Sequence, residues 1–242
     1  MRQLQWGILW LVAALVILAT VPVEADVLDK TMKVGGTAVH YKVVLPKNYD
    51  AGKAYPGILG FGGGPQTMNV VDNVIARNFR DEAEKRGYIV VVPAAPNDDL
   101  FFEAGASIFP EFLKQILADY KIRDNKFHIA GPSNGGISAF HVASLNPDYF
   151  LSITAFPGYL WEETPAHIAA ISKMCISMFV GEFDPMGWQP LMQKQAAEFR
   201  AKGMTATYTV EKGQPHRLDT LAGANAARLF DLFDQAKSGC GK

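Results

Sequence analysis

The chain has very little cysteine, no surplus of charge of either sign, no internal repeat and no low-complexity tract. Each shortage excludes something. The two cysteines, Cys175 and Cys240, sit in unlike surroundings and are not a metal pair. A formal net charge of -1 gives no electrostatic reason to expect nucleic acid or an acidic membrane surface as partner. Without repeats, array architectures drop out. What is left is an ordinary globular composition, 49% hydrophobic and 19% charged, in 242 residues that suffice for a sizeable core.

The N-terminal stretch differs from the rest. Arg2 precedes an apolar run from Trp6 to Val21, which Pro22 ends, and Val23-Glu24-Ala25 offers small residues at the positions a signal peptidase reads. Residues 1–25 therefore read as a cleaved export signal, with an uncleaved membrane anchor as the rival; the run is a little short for a comfortable span. The expected location is secreted or periplasmic, and membrane contact is expected only through an uncleaved N-terminal segment. No cysteine near the cleavage point suggests a lipid anchor. Export would permit a disulfide. Cys175, however, opens an apolar run, and Cys240 lies in a Gly/Lys-rich tail, so the expectation is a buried inert thiol and a disordered one.

From Asp26 onward one domain is expected, residues 26–242, without a linker. Leu28 to Val34 and Thr37 to Leu45 alternate and join at Gly35-Gly36, which predicts a hairpin. Strands are predicted at Gly57–Phe61, Tyr88–Val92, Lys126–Ala130, Leu151–Phe156, Cys175–Val180 and Thr205–Val210. Helices are predicted at Val70–Arg86, Ile108–Tyr120, after Gly136, at Trp188–Lys202 and at Leu218–Ala236. Strand and helix alternate, which implies an α/β fold: a mainly parallel sheet, helices on both faces, and an antiparallel hairpin at one edge. Sites in such sheets lie at the carboxyl ends of the strands.

At one such end stands Gly131-Pro132-Ser133-Asn134-Gly135, a G-x-S-x-G pattern between a predicted strand and a predicted helix. A serine held on so sharp a turn has strained backbone angles, and side chains two residues either side would collide. The helix N-terminus beyond it stabilises developing negative charge. Asp184 follows the strand Cys175–Val180, and His216 follows Thr205–Val210. The chain order nucleophile, acid, histidine is that of an elbow-type hydrolase. Ser133 needs a base to take its proton, His216 supplies one, and Asp184 fixes the imidazole tautomer. Such a base acts when neutral, so activity is expected to rise with pH as His216 loses its proton. Glu182 is the rival acid. His40, His128 and His141 fall inside predicted elements and read as core or surface, and His167 lies in a loop. The oxyanion donors are expected to be the N–H of Asn134 and one from Gly63 or Gly64, in the glycine run after Gly57–Phe61. Phe101, Phe102 and Trp161, in the segments Asp98–Phe109 and Tyr159–Ile168, are the expected apolar contacts to substrate. No cofactor and no metal is implied, and with no large cap insertion the site is expected to be open.

Together the Ser133-Asn134-Gly135-Gly136 elbow, Tyr55-Pro56 leading a strand into a glycine loop, Gly181-x-x-Asp184, and Pro215-His216 resemble secreted α/β-hydrolase esterases. Within these they are similar to the feruloyl esterase, acetylxylan esterase and polyhydroxybutyrate-depolymerase-like set. The resemblance implies hydrolysis of a small-molecule or carbohydrate-linked ester, with small acyl or hydroxycinnamoyl groups foremost. In one respect the chain departs from it. Members usually carry His-Gly-x where this chain has three glycines, and Gly62 takes the histidine's place. Depolymerases of that set tend to carry disulfides and a polymer-binding module; neither is expected here, which points to a small soluble ester. Two other functions share these residues. A serine peptidase of the prolyl-oligopeptidase type uses the same triad, usually with a further domain or an acidic patch. A catalytically silent hydrolase-fold binding protein would normally have lost a triad member, and all three are here.

Overall fold

A computed structural model describes residues 27–237 and 240 of the chain. The expected export signal lies outside the described residues. Eight strands form one sheet in the order β1-β2-β4-β3-β5-β6-β7-β8. The strands β1 (Val27–Val34) and β2 (Thr37–Val44) make the predicted hairpin, with Val34 opposite Thr37 across the Gly35-Gly36 turn. β2 also runs antiparallel to β4 (Ile89–Pro93). All other pairings, among β3 (Tyr55–Gly60), β4, β5 (Ile122–Gly131), β6 (Phe150–Ala155), β7 (Cys175–Gly181) and β8 (Ala206–Glu211), are parallel. The central strands are apolar on both sides because both faces are covered.

One face carries α1 (Met68–Val74), α2 (Arg80–Arg86) and α7 (Ala227–Gln235); Val71, Phe79 between α1 and α2, and Leu229, Phe230 and Phe233 pack there with Ile58, Val90 and Val92. The other carries α3 (Phe109–Asp119), α4 (Asn134–Leu145) and α6 (Trp188–Ala201), with Phe112, Phe140 and Phe199 in its core. A short α5 (Pro165–Ala170) precedes β7. No helix among the described residues is long and apolar enough to cross a membrane.

Three expectations need correction. Cys175 and Cys240 are joined in a disulfide, with Cα atoms 5.0 Å apart, rather than being separate thiols. The tail returns to the start of β7, where the Thr205 hydroxyl donates to the Cys240 carbonyl. Nothing local in the sequence orders that tail, since the tie is tertiary. In the chain-entropy picture, a loop closed over a separation of 65 residues stabilises by roughly 4 kcal/mol. The final helix begins at Ala227, not Leu218, because two 3-10 turns, Asp219–Leu221 and Gly223–Ala226, occupy the earlier residues. Finally, Val70–Arg86 is helical but not uniformly α: a five-residue π turn, Ile75–Phe79, joins α1 to α2.

Candidate active site

Ser133 stands between β5 and α4 with φ 56° and ψ -125°, the strained backbone that the glycine spacing predicts. The turn is built from main chain against main chain. A Cβ at Gly135 would lie 2.6 Å from the Gly62 carbonyl oxygen and 2.9 Å from that of Phe61, so no side chain fits. On the other side the Ser133 N–H donates to the Pro157 carbonyl at 2.7 Å. Asn134 is the first residue of α4, so its N–H has no acceptor within the helix.

Strand ends bring the three predicted side chains together. His216 Nε2 lies 2.9 Å from Ser133 Oγ, and His216 Nδ1 lies 2.8 Å from Asp184 Oδ2. The Asp184 side chain is fully buried, and its other oxygen accepts the Met186 N–H at 2.8 Å. With the carboxylate accepting from Nδ1–H, the Nε2 lone pair faces the serine hydroxyl. Glu182, the rival acid, is turned elsewhere: it accepts the Gly213 N–H at 2.8 Å and braces the His216 loop.

Further ties fix that loop. Arg228 binds Glu211, the last residue of β8, through two bonds of 2.9 and 2.8 Å, and holds its carboxyl below the ordinary glutamate value. From α1's π turn, Arg77 pairs with Asp219 and donates to the Leu218 carbonyl.

The remaining histidines take no part. His128 is buried in β5 against Ser152 and Phe233, and burial pushes it down to about 4. His141 is buried in α4, also lowered by burial, with its ring against that of His167. His40 is exposed on β2 beside Thr31.

Beside Ser133 lies a cleft of about 270 Å³, lined by Gly63, Gly64 and His216, by Val70, Asn73, Val74, Arg77 and Asn78 of the helix after the glycine loop, and by Phe156 and Leu218. Gly63 and Gly64 thus border the cleft beside Ser133. The expected aromatic contacts do not line it. Phe101 is wholly buried, its ring packed on Phe61 and Phe109, because the loop folds inward and adds to the core. Phe102 and Trp161 instead form the outer part of a chain of rings, Phe102–Trp161–Tyr159–Trp188, that ends edge-on against His216 at 5.1 Å. Sequence reasoning missed Trp188 and the helical wall. Its signal was present: Val70, Asn73, Val74, Arg77 and Asn78 repeat at helical spacing directly after the glycines. Among the described residues, no group of three or more His, Cys, Asp or Glu side chains is placed to hold a metal ion.

The family model described as "Putative esterase" matches residues 33–226. No curated protein sequence matches the chain. Solved structures share the fold at low identity. A thermostable esterase is 20% identical with a TM-score of 0.65; the match covers 77% of this chain and 55% of that one, so the chain spans about half of that protein. An S-formylglutathione hydrolase from Agrobacterium tumefaciens is 16% identical, with a TM-score of 0.65 over 88% of this chain and 99% of that one. A feruloyl esterase module from Clostridium thermocellum, complexed with sinapinate, is 17% identical, with a TM-score of 0.62 over 81% and 83%.

Proposed function

The chain belongs to this esterase family and is a carboxylic ester hydrolase of the α/β-hydrolase type, and from that premise we propose that Ser133, His216 and Asp184 hydrolyse the ester through an acyl-enzyme. The observation that supports it is the unbroken hydrogen-bond chain Asp184–His216–Ser133 at the mouth of the cleft. His216 Nε2 takes the Oγ proton as Oγ attacks the ester carbonyl. The oxygen that gains negative charge turns toward the N–H of Asn134 and the loop of Gly63 and Gly64. His216 then delivers its proton to the departing alcohol, and water enters by the same route in reverse to release the acid. Asp184 keeps its charge throughout and stabilises the imidazolium between the two transfers.

The substrate is a small acyl or hydroxycinnamoyl ester. A cleft of about 270 Å³, walled by Val70, Val74, Phe156 and Leu218, favours one compact apolar group over a long chain. The ring chain ending at His216 favours an aromatic partner, as does the fold shared with the feruloyl esterase module. The apolar N-terminal run and the Cys175–Cys240 disulfide support export into an oxidising compartment. Turnover of p-nitrophenyl acetate, a long-chain p-nitrophenyl ester and methyl ferulate by the wild type and Ser133→Ala tests the reading. Loss of all turnover in the variant, with the long-chain ester the poorest wild-type substrate, is expected. A wild type inert toward all three sinks the reading.

A further inference from the structure

Gln66 lies in the loop after β3, four residues past Gly62. It is wholly buried, in a left-handed backbone conformation at φ 54°. Its hydrogen-bonding capacity is almost completely used. The side-chain Nε2 donates to the Gly62 carbonyl at 3.1 Å and to the Ser138 hydroxyl of α4 at 2.9 Å. Its Oε1 accepts the Phe101 N–H at 3.0 Å. Its backbone N–H donates to the Gly63 carbonyl at 3.2 Å, and its carbonyl accepts the Ala95 N–H at 2.9 Å. One residue thus ties the glycine loop to the elbow helix, to the exit of β4 and to the loop at Phe101.

We propose that Gln66 is the positioning residue of the oxyanion site. The proposal rests on the acyl-enzyme reading above. Its physical basis is the trans peptide, in which C=O and N–H point in opposite directions. Gln66 holds the carbonyls of Gly62 and Gly63, and thereby fixes the direction of the N–H groups of Gly63 and Gly64 on the far side of the same two peptides. Those peptides border Ser133: a Cβ at Gly63 would lie 3.4 Å from the Ser133 Cβ and 3.1 Å from the Pro132 carbonyl. The bond to Ser138 couples the loop to the helix whose first N–H, at Asn134, is the other donor, and Asn134 Nδ2 closes the circuit on the Gly64 carbonyl at 2.9 Å. A buried, fully bonded amide is rigid, which donors awaiting a charge that appears only in the transition state require.

The test compares the wild type with Gln66→Leu, Gln66→Glu and Ser138→Ala on p-nitrophenyl acetate, well below each variant's Tm. It also measures each Ki for a trifluoromethyl ketone, which adds to the serine as a hemiketal oxyanion. Gln66→Leu should lose about 10- to 100-fold in kcat with KM within about twofold, less than the loss of a donor itself. Its Ki should rise by the same factor by which kcat/KM falls. Ser138→Ala, which keeps the bond to Gly62, should lose less, and it carries the test if Gln66→Leu does not fold. Folded variants with unchanged kcat and Ki, or with the whole loss in KM, overturn the proposal alone. A wild type that neither turns over the ester nor binds the ketone overturns the acyl-enzyme reading beneath it.

Discussion

The two flanks of the Ser133–His216 pair are made of different material. On the glycine flank, Phe61 to Gly64 and Gly131 to Gly136 meet backbone to backbone, leaving no room for a single methyl group at Gly131 or Gly135. On the ring flank, Phe102, Tyr159, Trp161 and Trp188 meet side chain to side chain, and Trp161 is 56% exposed. In the proposed reading the first flank fixes where charge develops, so small displacements there should remove donors from the oxygen they serve. The second offers surface, which substitution reshapes without dismantling. On that reading, chemistry and selectivity should be separable by mutation.

The largest effect belongs to the pair both flanks share: His216→Ala should lower kcat by a factor on the order of 10⁶ with the fold intact by circular dichroism. Next comes the glycine flank. Gly135→Ala forces the elbow and the loop at Gly62 apart, and should cost about 1–3 kcal/mol of stability together with at least about 100-fold in kcat. Denaturant melts and steady-state rates measure both, and a Gly135→Ala enzyme with normal kcat breaks the comparison. On the ring flank, Trp188→Ala removes an edge-on contact to His216 and should reduce kcat/KM by about 10-fold. Trp161→Ala should change stability by no more than about 0.5 kcal/mol and raise KM for methyl ferulate but not for p-nitrophenyl acetate.

A residue remote from both flanks provides the control. Burial depresses His128 to about 4 in the folded protein, against an ordinary value near 6.5. The unfolded chain therefore binds the extra proton first. Stability is whole above about pH 6.5 and falls, by up to roughly 3 kcal/mol, as the pH drops to about 4. His128→Phe should flatten that slope in pH-dependent urea melts and leave substrate selectivity untouched.

Much of this was legible in the sequence because it is local. The elbow announces itself through Gly131 and Gly135, which the turn demands, and Asp184 and His216 follow apolar strands at positions that any parallel sheet gathers at one edge. The loop after β3 was legible as a glycine run, but the side chain that ties it down was not. Gln66 reads as a polar loop residue until β4, α4 and the loop at Phe101 close over it. Phe101 reads as a substrate contact for the converse reason, since whether a loop aromatic faces in or out depends on how the loop folds. The Cys175–Cys240 bond and the Trp188–His216 contact join residues 65 and 28 positions apart, and nothing local fixes either.

The most direct measurement is labelling by a fluorophosphonate probe, followed by peptide mass spectrometry, on the wild type, Ser133→Ala, His216→Ala and Asp184→Asn. One adduct on the Ser133 peptide is predicted, absent from Ser133→Ala and formed far more slowly in the other two variants. An adduct on another residue, or a Ser133 adduct formed equally fast without His216, would contradict the account.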